Sequence, residues 1–468
     1  MHLNVAHPMT STNFPPSMDI FSKESELKHQ LDLWLKDFSV QGDKTFAAKE
    51  IWDVYKQNKA ELHLNGCRLT TLPPILSELT QLQELYLSGN CLTSLPVEIG
   101  QLVKLKKMDL TGNHIEALPL EIKYLIELEE FHINNNNLSF LPVEIEHLQK
   151  LKELSLVENK LTVLPIEIAK LTNLIELDLD SNKLVFLPAD IGELIQLKRL
   201  CLDDNEISAL PVEIGKLLQL KHLSINSNKL PSLPIEIGQL LQLTSLYLNH
   251  NKISSLPAEI GQLFKLKRLY LDDNAISTLP VEIGQLLQLH YLSMDNNELT
   301  FLPITIGQLA QLKEFSLANN KLNNLPTELG QLSLLKILNL NNNKIDSLPI
   351  EIGQLLQLEK LYLDHNQLIS LPTEIIHLCQ LTKLCLSNNQ LRSFPAKIGK
   401  LLQLLELYLD NNQLTYLPAQ IGLLKQLASL SFYNNPQLQD LPKSLTTLTS
   451  LTCLDVEGTA IPKEKIKF

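Results

Sequence analysis

Residues 279–299 read LPVEIGQLLQLHYLSMDNNEL. Almost the same letters appear as LPVEIGKLLQLKHLSINSNKL from Leu210, LPIEIGQLLQLTSLYLNHNKI from Leu233 and LPIEIGQLLQLEKLYLDHNQL from Leu348. Anchored on the second Asn of this copy, Asn297, the pattern extends in both directions. Sixteen asparagines from Asn90 to Asn435 stand in unbroken 23-residue register. Cys67 lies one period before the run and Thr459 one period plus one residue after it, which makes eighteen repeats with atypical ends. Repetition at this period builds a solenoid, which grows by adding units to one continuous core and needs modified end repeats to close it.

Each invariant letter has a physical task. The residues five and three before the Asn (Leu292 and Met294 in this copy) alternate inward at strand period two. The Asn, with two donors and an acceptor, is expected to satisfy backbone groups of adjacent turns inside the coil. Six residues on, a proline such as Pro303 fixes φ and ends strand pairing. The glycine of EIGQL, Gly284 in this copy, is expected to give the returning chain freedom to turn.

The LPxEIGxLxxLxxLxLxxNxL pattern over residues 61 to 461 resembles the leucine-rich repeat superfamily, most nearly its intracellular Scribble, Erbin and Ras-suppressor type. The resemblance implies an α/β solenoid: a horseshoe of about 18 repeats of 23 residues, with a parallel sheet on the concave face and an N-terminal helical cap. Three segments are expected. Residues 1–16 are a disordered N-terminus, 17–60 a helical hairpin cap, and 61–468 the solenoid with its atypical C-terminal capping repeat. In the hairpin, Ile20, Leu27, Leu31, Leu33, Trp34 and Phe38 fall on one side of the first helix, and Phe46, Ile51, Trp52 and Tyr55 on one side of the second. Gly42 and Asp43 read as turn and cap between them.

The same N-terminal segment is similar to that of secreted bacterial leucine-rich-repeat effectors, through Trp34, Phe38, Ala47, Ala48, Leu62, Leu64, Leu69 and Leu72. Many of those effectors carry a ubiquitin-ligase domain with a nucleophilic cysteine in CxD. Cys453-Leu454-Asp455 has those letters but falls at the strand position of the last repeat, which reads as coincidence.

In such a strand the residues six, four and two before the Asn point to the open face, and the one just before it lies at the edge. Packing leaves them free, so their chemistry reports what the face meets. Seven of the ten tyrosines are there: Tyr86, Tyr247, Tyr270, Tyr291, Tyr362, Tyr408 and Tyr433. So are twenty acidic residues against five basic ones (Lys107, Arg199, Arg268, Lys360 and Lys383). That excess of fifteen exceeds the net charge of −12 for the whole chain, so the acid is concentrated on one face. Solubility and the strand preference of tyrosine account for part of this. The functional reading is that tyrosines anchor a partner while the acids steer a basic surface toward it. The candidate patch comprises Tyr247, Tyr270 and Tyr291 on successive rungs with His222, Arg268, Asp272, Asp273 and Asp295, extended by Tyr362 and Tyr408.

Other functions lack their residues. There is no basic stripe for nucleic acid, no run long enough to span a membrane and no Sec-type signal. The six cysteines have no paired spacing, which suits a reducing compartment. His222 and His250 lie on neighbouring rungs without a third ligand, and Cys201 and Cys385 face the groove without a base, so neither metal nor catalysis is expected. The sequence thus points to a cytoplasmic, monomeric, non-catalytic module that takes no cofactor and binds a protein. The alternative is an effector delivered into a host cell without a Sec signal that sequesters its target, or a ubiquitin-ligase remnant.

Overall fold

A computed structural model of the 468-residue chain describes residues 17–37 and 41–462. Two compact units divide between Lys160 and Leu161. The first contains helices α1 (Ser17–Lys36) and α2 (Lys44–Gln57) and strands β1 (Glu61–His63), β2 (Glu84–Tyr86), β3 (Lys107–Asp109), β4 (Glu130–His132) and β5 (Glu153–Ser155). The second contains thirteen strands, from β6 (Glu176–Asp178) to β18 (Cys453–Asp455). Within each unit every strand is three residues long and pairs in parallel with the next. Partners are 23 residues apart, as in Arg268↔Tyr291, until the last pair, Ser429↔Cys453, absorbs the extra residue noted before Thr459.

The repeat letters become a core directly. Leu279, Ile283, Leu286, Leu289, Leu292, Met294 and Leu299 are all buried. Proline proves to begin an element as much as to end one. Pro280, with φ −66°, caps a 3-10 turn over Val281–Gln285, and its carbonyl accepts the Ile283 N–H at 3.1 Å. The asparagine joins rungs as expected. Asn297 Oδ1 accepts the Ile276 N–H at 2.9 Å, and its Nδ2 donates to the carbonyls of Leu271 and Met294.

Two positions are governed by the backbone in ways the sequence reading did not assign. From Asn135 to Asn434 the residue preceding each ladder asparagine has φ between 51° and 58°. At Gly66, Gly89, Gly112 and Gly458 glycine takes the same place. Short polar residues and glycine visit this left-handed region most cheaply, which favours Asn, Asp, Ser, His and Gly there; Glu158 is the exception in the run. Conversely, Gly284 is not in that region, so freedom to turn is not its task. A Cβ added to it would stand 2.4 Å from the Thr305 carbonyl oxygen and 2.7 Å from Thr305 Cβ of the next turn. Glycine here permits close approach of neighbouring turns. Lys123, Glu146 and Ala169 stand at this position in other repeats and are followed by turns of the usual five residues. Ile376 is instead followed by the short turn Ile398–Lys400, with a cavity between the two lined by Ile376, His377, Pro395 and Lys397. Gly284→Ala should therefore lose about 1–3 kcal/mol from overpacking, despite the helix preference of alanine. An unchanged thermal midpoint would show that the turns can move apart freely.

The N-terminal helices differ in detail from expectation. Leu27, Leu31 and Trp34 of α1 and Ala47, Ala48, Ile51 and Val54 of α2 are buried. Leu33 and Phe46 are exposed instead, and Trp52 and Tyr55 are only half-buried, because the seam follows a narrower i, i+4, i+7 stripe. Gly42, at φ 112°, makes the turn, and Asp43 caps α2 by accepting the Phe46 N–H at 3.0 Å. Lys44 Nζ donates to the carbonyls of Trp34, Leu35 and Asp37 at the end of α1. Helix α1 rests on the first 3-10 turn, Pro74–Glu78, through the Lys23–Glu78 pair at 2.8 Å, and α2 rests on β1. Residues 1–16, the side chain of Ile20, and Phe38 lie outside the described residues.

Candidate partner-binding face

The candidate residues all lie in the second unit, on strands β8 (His222–Ser224), β9 (Ser245–Tyr247), β10 (Arg268–Tyr270), β11 (Tyr291–Ser293), β14 (Lys360–Tyr362) and β16 (Glu406–Tyr408), or just after β10 and β11. Each strand keeps its middle residue in the core and turns the flanking two toward the open face, where Ser224 and Ser245 are themselves buried. The face is therefore two columns of side chains. Tyr247 and Tyr270 are register partners, and their rings stack at 5.1 Å with 7° between planes. His222 lies against Tyr247 at 5.1 Å, tilted 45°. Burial, with Arg199 adding, pushes the His222 imidazole down to about 4, so it is neutral at physiological pH and serves as a flat aromatic. Tyr291 belongs to the other column, the one that also carries His222 and Arg268. It is covered by the Arg268 guanidinium at 5.6 Å rather than by a second tyrosine. The sequence cluster thus resolves into an aromatic stack and a separate Arg–Tyr pair.

The acidic residues have an internal role that the sequence reading left out. Asp272 Oδ1 accepts the Ser293 hydroxyl at 2.6 Å and the Asp295 N–H at 2.7 Å. Asp295 Oδ1 does the same for the Ser316 hydroxyl and the Ala318 N–H, both at 2.6 Å. Asp180, Asp203, Asn226 and Asn249 each accept the N–H one period on, so a second ladder runs from Asp180 to Ala318 at the edge of the sheet. Packing therefore does constrain this column: it wants a short side chain with an acceptor oxygen, and Asp or Asn serves. Asp273 meets the left-handed requirement instead, and its carboxylate lies 3.3 Å from His250 Nδ1. Part of the acidic excess is thus scaffold.

Burial raises the carboxyls of Asp272, Asp295 and Asp364, and brings Asp180, with Asp178 beside it, up to about 7. A carboxylate raised in the fold binds protons more tightly there than unfolded. Its contribution is present at low pH and is lost as pH rises from about 4 through 7. Asp180→Asn keeps an acceptor for the Asp203 N–H and removes the charge. It should stabilise the protein at pH 8 by on the order of 1 kcal/mol, after allowing for solvent screening of a part-exposed group. At pH 4 the gain should disappear. A constant difference across that range in parallel thermal melts would exclude the charge as its cause.

Tyr362 and Tyr408 flank Lys383, whose ammonium lies 5.9 and 5.3 Å from their ring centres and 2.6 Å from Glu406. The Tyr408 hydroxyl also donates to Glu406, at 3.1 Å. Tyr362 closes one end of a cleft whose other end is Tyr270 and Tyr291. Its floor is Ser293, Ser316 and Asn339, and Glu314 and Ile337 stand beside it. Only the tyrosines were singled out from the sequence. The signal for the rest was three small residues, at 293, 316 and 339, between tyrosines of one column.

Cys201 and Cys385 are buried rather than open to the groove, and burial pushes both thiols up to about 12. Cys453 is exposed on the final strand. Two groups of potential ligands converge: Glu130, His132 and Glu153, and Asp178, Asp180 and Cys201. The first is already an ion-pair set, with His132 at 3.0 Å from Glu153 and Glu130 bound to Lys107. In the second, the thiol keeps its proton. No helix among the described residues is long and apolar enough to cross a membrane.

Comparison with known proteins agrees with this architecture. The leucine-rich repeat region model matches residues 61–180, 210–281 and 235–338, and a leucine rich repeat model matches 310–368. A Leptospira interrogans leucine-rich repeat protein of known structure is 37% identical, with a TM-score of 0.71 over 88% of this chain and 94% of that one. The plant peptide hormone receptor RGFR1, solved in complex with RGF2, is 31% identical, with a TM-score of 0.66 over 86% of this chain and 69% of the receptor. YopM from Yersinia enterocolitica shares the fold at 24% identity, with a TM-score of 0.60 over 94% of this chain and 96% of that one. A search of the curated proteins gives no match. With more than half of its residues under the family model and the 23-residue rungs built as described, the chain belongs to the leucine-rich repeat family.

Proposed function

We propose that this protein is a non-catalytic interaction module that binds a protein partner on the tyrosine-bearing sheet face of its second unit. The observation that carries the reading is the run of ring contacts from His222 to Tyr247 to Tyr270, with the Arg268–Tyr291 pair beside it, displayed on strands tied together by two side-chain ladders. Rigid aromatic groups lose little entropy on binding, which suits them to anchor a contact. The solved complex of the plant receptor RGFR1 with RGF2 is in keeping with a fold that holds peptides or proteins. The partner presents a basic surface, attracted by those acids that remain exposed. The protein works as a monomer in the cytoplasm, with residues 17–60 as a cap on the first rung and without nucleic acid or cofactor. The Scribble-type consensus supports a scaffolding role.

A second reading is that this chain is a bacterial effector that sequesters a host protein on the same face; its similarity to a protein of the bacterium Leptospira interrogans is in keeping with a bacterial origin. The two differ in the partner's origin and share the site. Affinity capture from candidate lysates, with the parent and a Tyr247→Ala, Tyr270→Ala, Tyr291→Ala variant side by side, tests both. A protein retained by the parent and lost from the variant supports the face, and equal retention removes it.

A further inference from the structure

The cleft spanning β10 to β14 is lined in a way that specifies one kind of side chain. Rows and columns of the sheet make the comparison possible, because the protein fills a similar gap elsewhere by itself. In the column Tyr362, Cys385, Tyr408 a small residue separates two tyrosines, and Lys383 from the adjoining column covers the gap. Its ammonium meets both rings and the carboxylate of Glu406, the next residue in its own column. Arg268 likewise covers Tyr291 from the β10 side.

Along the column Tyr270, Ser293, Ser316, Asn339, Tyr362, three small residues separate the tyrosines, so the gap is wider and remains open as a cavity of about 190 Å³. In the adjoining column the order is Arg268, Tyr291, Glu314, Ile337, Lys360. Glu314 here holds the place that Glu406 holds beside Lys383, yet it is exposed and takes part in no ion pair among the described residues. The floor points the same way. Ser293 donates its hydroxyl proton to Asp272, Ser316 donates to Asp295, and Asn339 Nδ2 donates to Ser316 Oγ at 3.0 Å. Both serine protons go to part-buried carboxylates, which leaves acceptor lone pairs on Ser293 Oγ and, beside the Asn339 contact, on Ser316 Oγ. Tyrosine faces, acceptor oxygens and a carboxylate without a counterion together favour a cation.

We infer that this cleft is a subsite for a lysine side chain of the bound protein, with the ammonium on Glu314 and over the Ser293–Ser316 floor and the methylene stem against Tyr291 and Ile337. The inference rests on the reading of the tyrosine face as the binding surface, and sharpens it to one residue type at one place. A slot shaped by side chains on five rungs, β10 to β14, fits a lysine from an extended basic segment.

The test uses a fluorescein-labelled peptide of three Gly-Ser-Lys units and its counterpart with every lysine acetylated, titrated against the full-length protein by anisotropy at 50 and 150 mM salt. The lysine peptide should bind at least tenfold more tightly than the acetylated one. Glu314→Gln should reduce that preference at least threefold, and Ser316→Tyr, which fills the floor, should do the same without removing a charge. Glu282→Gln, on the opposite 3-10 side, should leave it intact. Circular dichroism melts confirm the fold of each variant. No preference for lysine, or a preference that survives both cleft variants, overturns the subsite. If these variants leave binding of the captured partner unchanged while the triple tyrosine variant abolishes it, the subsite falls and the broader face stands. If neither the cleft variants nor the triple tyrosine variant weakens binding of that partner, the subsite and the face both fall.

Discussion

Replacing Asn274 with leucine should be among the most damaging single changes in the second unit. Its Oδ1 accepts the Ile253 N–H at 3.0 Å, and its Nδ2 donates to the carbonyls of Leu248, Leu271 and Asp272 at 2.9, 3.0 and 3.1 Å. Leucine is about the same size and has no polar atom. One amide and as many as three carbonyls lose their partner, at about 1–3 kcal/mol for each group that water cannot reach. The carbonyls have a second lone pair and other contacts, so a total of about 3 kcal/mol is expected. Repeats couple mainly to their neighbours, so the loss should be confined to rungs β9 to β11. Amide exchange resolved by peptide should quicken there and stay unchanged beyond Leu348. Equal quickening throughout the second unit would contradict nearest-neighbour coupling.

The fold was legible because its determinants are local and repeated. Leu292, Met294 and Asn297 each act within their own rung or on the one next to it, so reading the period amounts to reading the contacts. Other positions were misread for a common reason. Gly284 was assigned by its usual conformational role, while its constraint comes from Thr305 on the next turn. Asp272 and Asp295 were counted as free surface charge, while each serves a backbone N–H 23 residues on. Asp273 was counted with them, although a positive φ selects it. Each constraint acts between rungs or within the backbone, where the residue type alone gives no sign of it. The tyrosines were legible as a set, but their division into a stack and an Arg-covered pair depends on which column each occupies. That division became visible only with the register of β9, β10 and β11.

The triple change Tyr247→Ala, Tyr270→Ala, Tyr291→Ala is expected to weaken partner binding by at least a hundredfold. All three rings are half-buried on the open face, above middle residues Leu246, Leu269 and Leu292 that stay in the core. Their removal leaves both ladders intact, so folding should change by little more than the stacking of Tyr247 on Tyr270 and the strand preference of tyrosine. Each anchor residue at a contact centre is worth on the order of 2 kcal/mol, and the three are not additive. Tyr247 and Tyr270 should show coupling in a double-mutant cycle because their rings touch. Tyr291 should act independently of them, since Arg268 is its neighbour. Isothermal titration with the captured partner measures all of these. A loss smaller than tenfold in a folded variant would place the contact elsewhere.

The competing surface is on the other side of the same rungs. Val281, Leu287 and Ile304 are 57%, 58% and 64% exposed there, in apolar columns that repeat with the period. An exposed apolar patch is itself a candidate for contact. Site-specific photo-crosslinking separates the two faces within one repeat. With p-benzoylphenylalanine placed at position 291 in one preparation and at position 281 in another, irradiation with the partner should give a covalent adduct from 291 and none from 281. An adduct from 281 alone would put the partner on the 3-10 side and contradict the assignment of the tyrosine face.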